Sequence, residues 1–295
     1  VWLGGKRMSF EDISKFRVFK VTRKDELVIR STTDGYQPKY FAEQGKYFLK
    51  SQCELQRVLR DDWMVEIIAS MLCNHYKIDA VQQNPCKILT LNTRGDIVKE
   101  RFGVYSDNFE VDGTTFTSLQ RVMDKYNDTL SKPEYIKLSA GSKFDYLIQL
   151  LNRYTDLTAD ECSEYISNMV MLDILVLNQD RHTHNFGLFI KDGKYSVAKL
   201  FDFGMGMFEN DNMFDDCKTL EDGLRFSYLE PFGEEPVDLL FELFNTNRAF
   251  KNHLVKKTSR HGYLTISKSY FPNDLAEDYY SMIIGTIASL VGGGV

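Results

Sequence analysis

Three residues in the middle of the chain have the types and spacing to move a phosphoryl group. Asp180 and Asn185 stand five positions apart in the polar run Asn178-Gln179-Asp180-Arg181-His182-Thr183-His184-Asn185. Asp202 follows 17 positions after Asn185, in Phe201-Asp202-Phe203-Gly204. Phosphoryl transfer asks for a carboxylate beside the acceptor hydroxyl, and for oxygen ligands that hold Mg²⁺ between the phosphates. Asp180 suits the first role; Asn185 and Asp202 suit the second. A base Asp five positions ahead of a metal-binding Asn, with a D-F-G carboxylate further on, is the spacing this chemistry uses. Either piece alone would pass for an ordinary polar loop or a chance tripeptide. Both together, in order and with a hairpin between them, point to one site for ATP and Mg²⁺.

Such a set works only if separate elements hold it. Residues 158–177 read as a long helix, opened by the capping box Thr158-Ala159-Asp160-Glu161, which feeds the chain into the polar loop. Residues 186–190 and 195–201 have strand character and meet across Lys191-Asp192-Gly193-Lys194. That hairpin would fold Asp202 back toward Asn185. Upstream, residues 16–21, 27–31, 47–50, 87–91 and 97–102 read as strands. Residues 61–76 read as a helix, with Val65, Ile68 and Leu72 at helical spacing. Further helices are expected at 144–154 and 274–290. The fold class is therefore α+β with two lobes: a β-rich N-lobe over residues 1–102 and an α-rich C-lobe over residues 103–295.

Weaker signals in the first third fall in a telling order: Gly35-Tyr36-Gln37-Pro38-Lys39, then Phe48-Leu49-Lys50 closing a strand, then Glu100-Arg101-Phe102. The catalytic-loop pattern D-R-H-x-x-N with a later D-F-G resembles both the lipid-kinase branch and the HipA-like bacterial Ser/Thr kinases. The N-lobe motifs extend the resemblance to the HipA-like family over about residues 31–205, in the compact layout of its stand-alone members. The resemblance implies a two-lobed protein-kinase-like fold and γ-phosphoryl transfer from ATP to Ser or Thr of a protein. Gly35, Gln37 and Lys39 would form the phosphate loop, and Lys50 would pair with the α- and β-phosphates. Backbone groups of Glu100 and Phe102 would hold adenine. Asp180 would act as base, with Asn185 and Asp202 on the metal. It also implies autophosphorylation three residues ahead of the loop glycine, at Thr32, which Ser31 and Thr33 flank. A phosphate there adds about 1.5 to 2 negative charges and would be repelled by those of the nucleotide. The plainer reading of the triplet is a polar strand end before a turn at Asp34-Gly35.

A kinase lysine needs an acidic partner on the next helix, and two stand there four apart, Asp62 and Glu66. Asp62 also suits a helix N-terminus, whereas Glu66 interrupts an apolar run; the sequence leaves both open. His182 and His184 lack neighbours to complete a transition-metal site and are expected to hold the catalytic loop by hydrogen bonds.

Composition narrows the alternatives. The 295 residues are 43% hydrophobic and 26% charged, enough for a sizeable core, and the net charge of −6 comes without a basic stripe, so no nucleic acid is expected as a direct partner. Five widely spaced cysteines with no CxxC pair suit a reducing cytoplasm. The longest apolar stretch, 282–291, is too short and too interrupted to span a membrane. A DNA-binding antitoxin is a partner the resemblance would bring. The 34 residues ahead of Gly35 leave no space for the further N-terminal domain of larger members, which argues against it. Two other functions are weighed. A phosphoinositide-type lipid kinase would want basic residues after the D-F-G, but Glu209, Asp211, Asp215, Asp216, Glu221 and Asp222 stand there against Lys218. A non-catalytic nucleotide-binding regulator would be expected to have lost one of Lys50, Asp180, Asn185 or Asp202, and all four are present.

Overall fold

The strand-like runs of the first hundred residues build one mixed sheet. The computed structural model describes residues 2–3, 6–7, 10–26, 37–55, 58–108, 113–209 and 212–293. The expected strand at 27–31, Gly35 and the triplet Ser31-Thr32-Thr33 lie outside the described residues. The sheet comprises β1 (Arg17–Val21), β2 (Lys39–Ala42), β3 (Tyr47–Ser51), β4 (Asn84–Leu91) and β5 (Ile97–Asp107), in the order β1-β4-β5-β3-β2. Strands β1 and β4 run parallel and the other neighbours antiparallel. One face closes over a small core that includes Phe19, Tyr40, Tyr47, Leu49 and Ile88. The register sets Lys39 opposite Lys50, and Lys50 opposite Val104.

Strand β5 runs five residues past the expected end at Phe102. Glycine usually weakens a strand, but at Gly103 the missing side chain lets β5 pass β3 closely. A Cβ there would lie 2.2 Å from the carbonyl oxygen of Lys50. Residues 103–107 therefore belong with the sheet.

Between sheet and helices lies α1 (Asp62–Tyr76), and twelve of its fifteen residues are buried. A helix apolar on one stripe faces one neighbour; one buried all round sits between layers. Val65, Ile68 and Leu72 accordingly join a single large core with the C-lobe helices.

The C-lobe opens with β6 (Thr115–Ser118) and α2 (Leu119–Lys125), then α3 (Pro133–Ile136), α4 (Ala140–Tyr154) and α5 (Ala159–Val176). The hairpin β7 (Gly187–Lys191) and β8 (Lys194–Val197) follows, turned by Asp192 and Gly193, both at positive φ. That is the two-residue turn which Asp-Gly favours. Helices α6 (Leu220–Leu224), α7 (Pro236–Thr246), α8 (Arg248–His261) and α9 (Asp274–Gly292) complete the chain. The capping box forms as expected: Thr158 accepts from Glu161 N–H, and the Glu161 carboxylate accepts from Thr158 N–H. Strand β6 was not expected from the sequence. It pairs with β7 in a sheet of order β6-β7-β8 and so anchors the hairpin that carries the chain from Asn185 to Asp202. Tyr279 of α9 donates its hydroxyl to the Ile174 carbonyl, tying the last helix to α5. All five cysteines are free, and four of them are buried. No helix among the described residues is long and apolar enough to cross a membrane.

Gly187 is the tightest point of the C-lobe sheet: a Cβ there would lie 2.1 Å from the Thr117 carbonyl oxygen and 2.7 Å from Ser118 Cα. Gly187→Ala should force β6 and β7 apart at a cost of about 1–3 kcal/mol. Chemical denaturation should show a lower midpoint than wild type; an unchanged midpoint would mean the strands do not pack this closely.

Candidate active site

Lys50 ends the apolar part of β3 and is almost wholly buried. Its Nζ donates to Glu66 Oε1 at 2.5 Å and to Asp202 Oδ1 at 2.6 Å. Lys39, opposite it on β2, sits with Nζ 3.5 Å from Asp202 Oδ2. Burial opposes the charge on Lys50, but Asp202 and Glu66 outweigh it and hold its pKa above the ordinary lysine value. Burial likewise opposes the charge on Asp202. Lys39 and Lys50 overcome that and keep its carboxylate well below the usual range. Asp202 adopts a left-handed backbone, φ +64, a conformation non-glycine residues rarely take and one that collects at functional sites.

The choice between Asp62 and Glu66 is thereby resolved. Glu66 lies one helical turn inside α1 and pairs with Lys50. Asp62 turns to the helix start, where its carboxylate accepts from Trp63 N–H at 3.0 Å and Cys53 N–H at 3.2 Å. Burial pushes the Asp62 pKa up to about 8, so it is a poor counter-ion.

The loop after α5 carries Asp180 and Asn185. Helix α5 ends on Leu177 in the left-handed conformation, with a cap bond to the Asp173 carbonyl. Asn185 Nδ2 donates to the Asp180 carbonyl at 2.8 Å and to Asp180 Oδ2 at 3.3 Å. This uses the donors of the amide and leaves its oxygen without a hydrogen-bond partner among the described residues. Burial raises the pKa of Asp180; Asp202 adds to the rise and His182 opposes it. His182 Nε2 lies 3.7 Å from Asp180 Oδ1, and its Nδ1 receives His184 N–H at 3.2 Å. The histidines thus brace the loop.

What the motif reading missed is why the loop and the D-F-G segment meet. Arg181 is completely buried. Its Nε donates to Asp173 Oδ2 at 2.9 Å and its Nη2 to Asp173 Oδ1 at 2.9 Å. Its Nη1 reaches the carbonyls of Asn185 and Phe201, each at 2.7 Å. The guanidinium also lies 4.8 Å from the centroid of the Phe203 ring. One planar fork therefore joins α5, the catalytic loop and the segment around Asp202, which suits arginine and not lysine. Asn178 adds bonds to Asp173 at 2.8 Å and to the Asp202 carbonyl at 3.4 Å. A charged residue on an apolar helix, Asp173 in α5, was the available signal.

The donor set suits a nucleotide phosphate and a divalent cation. Lys39 and Lys50 present two ammonium groups. The Gln37 Nε2 is buried without a hydrogen-bond partner among the described residues, as a donor kept for an anion would be. Gly204 packs against Gln37 and Glu66, each 3.5 Å from where its Cβ would be. Asn185 and Asp202 offer oxygen ligands, and Mg²⁺ commonly binds through one or two protein oxygens plus phosphates and water. Glu100 and Phe102 do not join this group. The Glu100 side chain is largely exposed and pairs with Lys87 at 2.8 Å. Phe102 donates its N–H to Gln52 Oε1 at 3.0 Å and accepts Gln52 N–H at 2.9 Å, so both of its peptide groups are taken. Its ring stacks on Trp63 at 5.7 Å. The adenine role expected at Glu100 and Phe102 concerns their backbone groups, which lie on β5 opposite Leu89 and Lys87 of β4.

Arg181→Met should leave Asp173 buried beside Asn178 alone. Removing one partner of a buried pair costs about 3–5 kcal/mol, so the unfolding midpoint should drop well below that of wild type. Arg181→Lys should fall between the two, because it keeps the charge and loses the fork. Equal midpoints for the three proteins would remove Arg181 from this role.

Comparison with known proteins agrees with this geometry. The family model of the HipA-like C-terminal domain matches residues 31–224. The crystal structure of the Helicobacter pylori proinflammatory kinase CtkA superposes with a TM-score of 0.61 at 14% identity, covering 90% of this chain and 94% of that one. HipA of Shewanella oneidensis MR-1, solved with HipB and operator DNA, gives a TM-score of 0.44 at 10% identity over 90% of this chain and 66% of that one. A Golgi casein kinase gives 0.39 at 12%, over 90% and 73%. These last two overlays are too loose to weigh. No curated protein matches the chain. The CtkA superposition shows a two-lobed kinase-like α+β fold, and the family match spans well over half of the sequence: the chain belongs to the HipA-like kinase family.

Proposed function

We propose that the protein transfers the γ-phosphoryl group of ATP to a Ser or Thr hydroxyl of a protein, with Mg²⁺. The observation that carries the reading is the chain of charges Glu66–Lys50–Asp202–Lys39 facing a loop that joins Asp180 to Asn185. The acceptor oxygen attacks the γ-phosphorus, the bond to the bridging oxygen breaks, ADP leaves, and Asp180 takes the hydroxyl proton. Lys39 and Lys50 orient the phosphates, and the family resemblance assigns Gly35 and Gln37 to the same task. Asn185 and Asp202 would hold Mg²⁺, which neutralises charge on the phosphates when bound. The free cysteines suit a reducing compartment such as the cytoplasm.

The acidic segment after the D-F-G argues less strongly against a lipid substrate than its composition suggests. Glu209 is buried, accepting from Asp61 N–H and Asn273 Nδ2. Asp215 is paired in a fork with Arg60, and Glu221 with Arg225. One of the six acids is buried and two are paired at the surface, and the segment 205–222 holds no basic cluster to take their place. The protein-kinase reading stands ahead of the lipid one on that ground. A non-catalytic nucleotide binder stands third, since base, lysine and metal ligands are all assembled.

Asp180→Ala should abolish transfer and retain nucleotide binding, since that carboxylate serves the acceptor and not the phosphates. Asp202→Asn should lose most of its turnover at ordinary Mg²⁺ and recover part of it at high Mg²⁺. Radiolabelled transfer and nucleotide titration read both. Loss of binding in a folded Asp180→Ala, or full activity in Asp202→Asn, contradicts the assignment. Because burial raises the Asp180 pKa, activity should also fall on the acid side at a higher pH than an ordinary aspartate would give.

Autophosphorylation at Thr32, or at its neighbours Ser31 and Thr33, is the expected self-regulation. Mass spectrometry after incubation with ATP should find the phosphate there in wild type and not in Asp180→Ala. An active enzyme left unmodified at 31–33 would end the idea.

A further inference from the structure

Beside the catalytic loop the C-lobe bears a groove of about 560 Å³. It is lined by His182 and Thr183, two and three residues after Asp180, by Tyr228 and residues 230–234 ahead of α7, and by Ile136 of α3. Two features mark it as more than a surface depression. Ile136 and Tyr228 are large apolar side chains left 61% and 49% exposed, a ledge that an extended chain could cover. The groove also holds an uncompensated carboxylate. Lys143 lies in its lining but is buried; it donates to the Phe232 carbonyl at 2.5 Å and stands 4.0 Å from Glu234. That leaves Glu230, which makes no hydrogen bond or ion pair among the described residues. Burial raises the Glu230 pKa; the nearby Asp180 adds to the rise and His182 opposes it. A cation placed there would relieve both the desolvation and the repulsion from Asp180.

We infer that this groove receives the acceptor polypeptide in an extended form, and that Glu230 selects a Lys or Arg close in sequence to the acceptor Ser or Thr. The inference rests on the kinase reading above and adds the substrate class. The geometry is that of a specificity site: Asp180 meets the hydroxyl, Ile136 and Tyr228 take apolar side chains, and Glu230 reads the charge next to the acceptor. Successive side chains of an extended segment alternate in direction about 3.3 Å apart along the chain, so a basic residue within a few positions can reach Glu230 while the hydroxyl stays at Asp180. A partly buried ion pair of this kind supplies specificity more than raw affinity.

The test uses the full chain with ATP, Mg²⁺ and Ser-centred peptides flanked by Lys and Arg, by Ala, or by Asp and Glu. In wild type, kcat/KM should favour basic over Ala-flanked peptides by roughly fivefold to tenfold, mostly through KM. In Glu230→Gln the ratio should approach one. In Glu230→Lys it should reverse toward acidic flanks. Comparing peptides within each variant cancels any general loss of activity. Fluorescence anisotropy of a labelled basic peptide reads binding without turnover, and Glu230→Gln should weaken it. Transfer with no dependence on flanking charge, or a basic preference that survives in Glu230→Gln, overturns the inference and leaves the kinase reading intact. Charge-selective binding that depends on Glu230, without transfer, supports the groove and defeats the kinase reading. Absence of both overturns both.

Discussion

Two lysines stand directly opposite each other on β2 and β3, and the site depends on how that repulsion is relieved. Like charges facing across a strand pair are destabilising, and Lys50 is also buried, where an uncompensated ion costs several kcal/mol. The pair Lys39 and Lys50 can persist only if anions come to it. Asp202 arrives from the C-lobe and touches both; Glu66 arrives from α1 and touches Lys50. The charge problem of the sheet thus draws three separate elements to one point. The same two ammonium groups are what a nucleotide triphosphate would need, so the lysines that demand internal anions also suit an external one.

A buried arginine performs the matching task in the C-lobe. Arg181 holds α5 through Asp173, the catalytic loop through Asn185 and the D-F-G segment through Phe201. Lys50 holds the Asp202 side chain, Arg181 holds the peptide before it through the Phe201 carbonyl, and Asn178 holds the peptide after it through the Asp202 carbonyl. The left-handed backbone at Asp202 is sustained between these anchors, as strained positions are when their surroundings over-determine them. Helix α1 links the two sets. Being buried on nearly all sides, it offers Glu66 to Lys50 and its apolar residues to the same core as α5, so the spacing of the lobes is set by packing as well as by charge.

The acidic residues show how composition and structure part company. Six acids follow the D-F-G motif, and a count alone makes that segment a negative field. Folding engages some of them: Glu209 is buried and accepts from Asp61 N–H at the start of α1, and Asp215, though exposed, pairs with Arg60. Glu230 drew no attention in the sequence, yet in the groove beside Asp180 it is a carboxylate without a partner among the described residues. Charge that matters for a ligand is charge that the fold has not already matched.

Much of this site was legible in the sequence because its chemistry is local. The spacing of Asp180 and Asn185, the Asp-Gly hairpin, the D-F-G tripeptide and the Thr158 capping box each lie within a few residues and carry their own geometry. Strand and helix periods likewise placed α1, α5 and most strands within a few residues of their ends. The tertiary structure alone decided what depends on contacts between distant segments. Sequence spacing could not choose between Asp62 and Glu66, since both lie on one helix face; the position of Lys50 on β3 selected Glu66. It could not show that Gly103 allows a close crossing, so β5 was expected to end at Phe102 and in fact runs to Asp107. The role of Arg181 arises from partners as distant as Phe201 and that of Glu230 from having none among the described residues, and no local pattern records whether a buried charge has found its counter-ion.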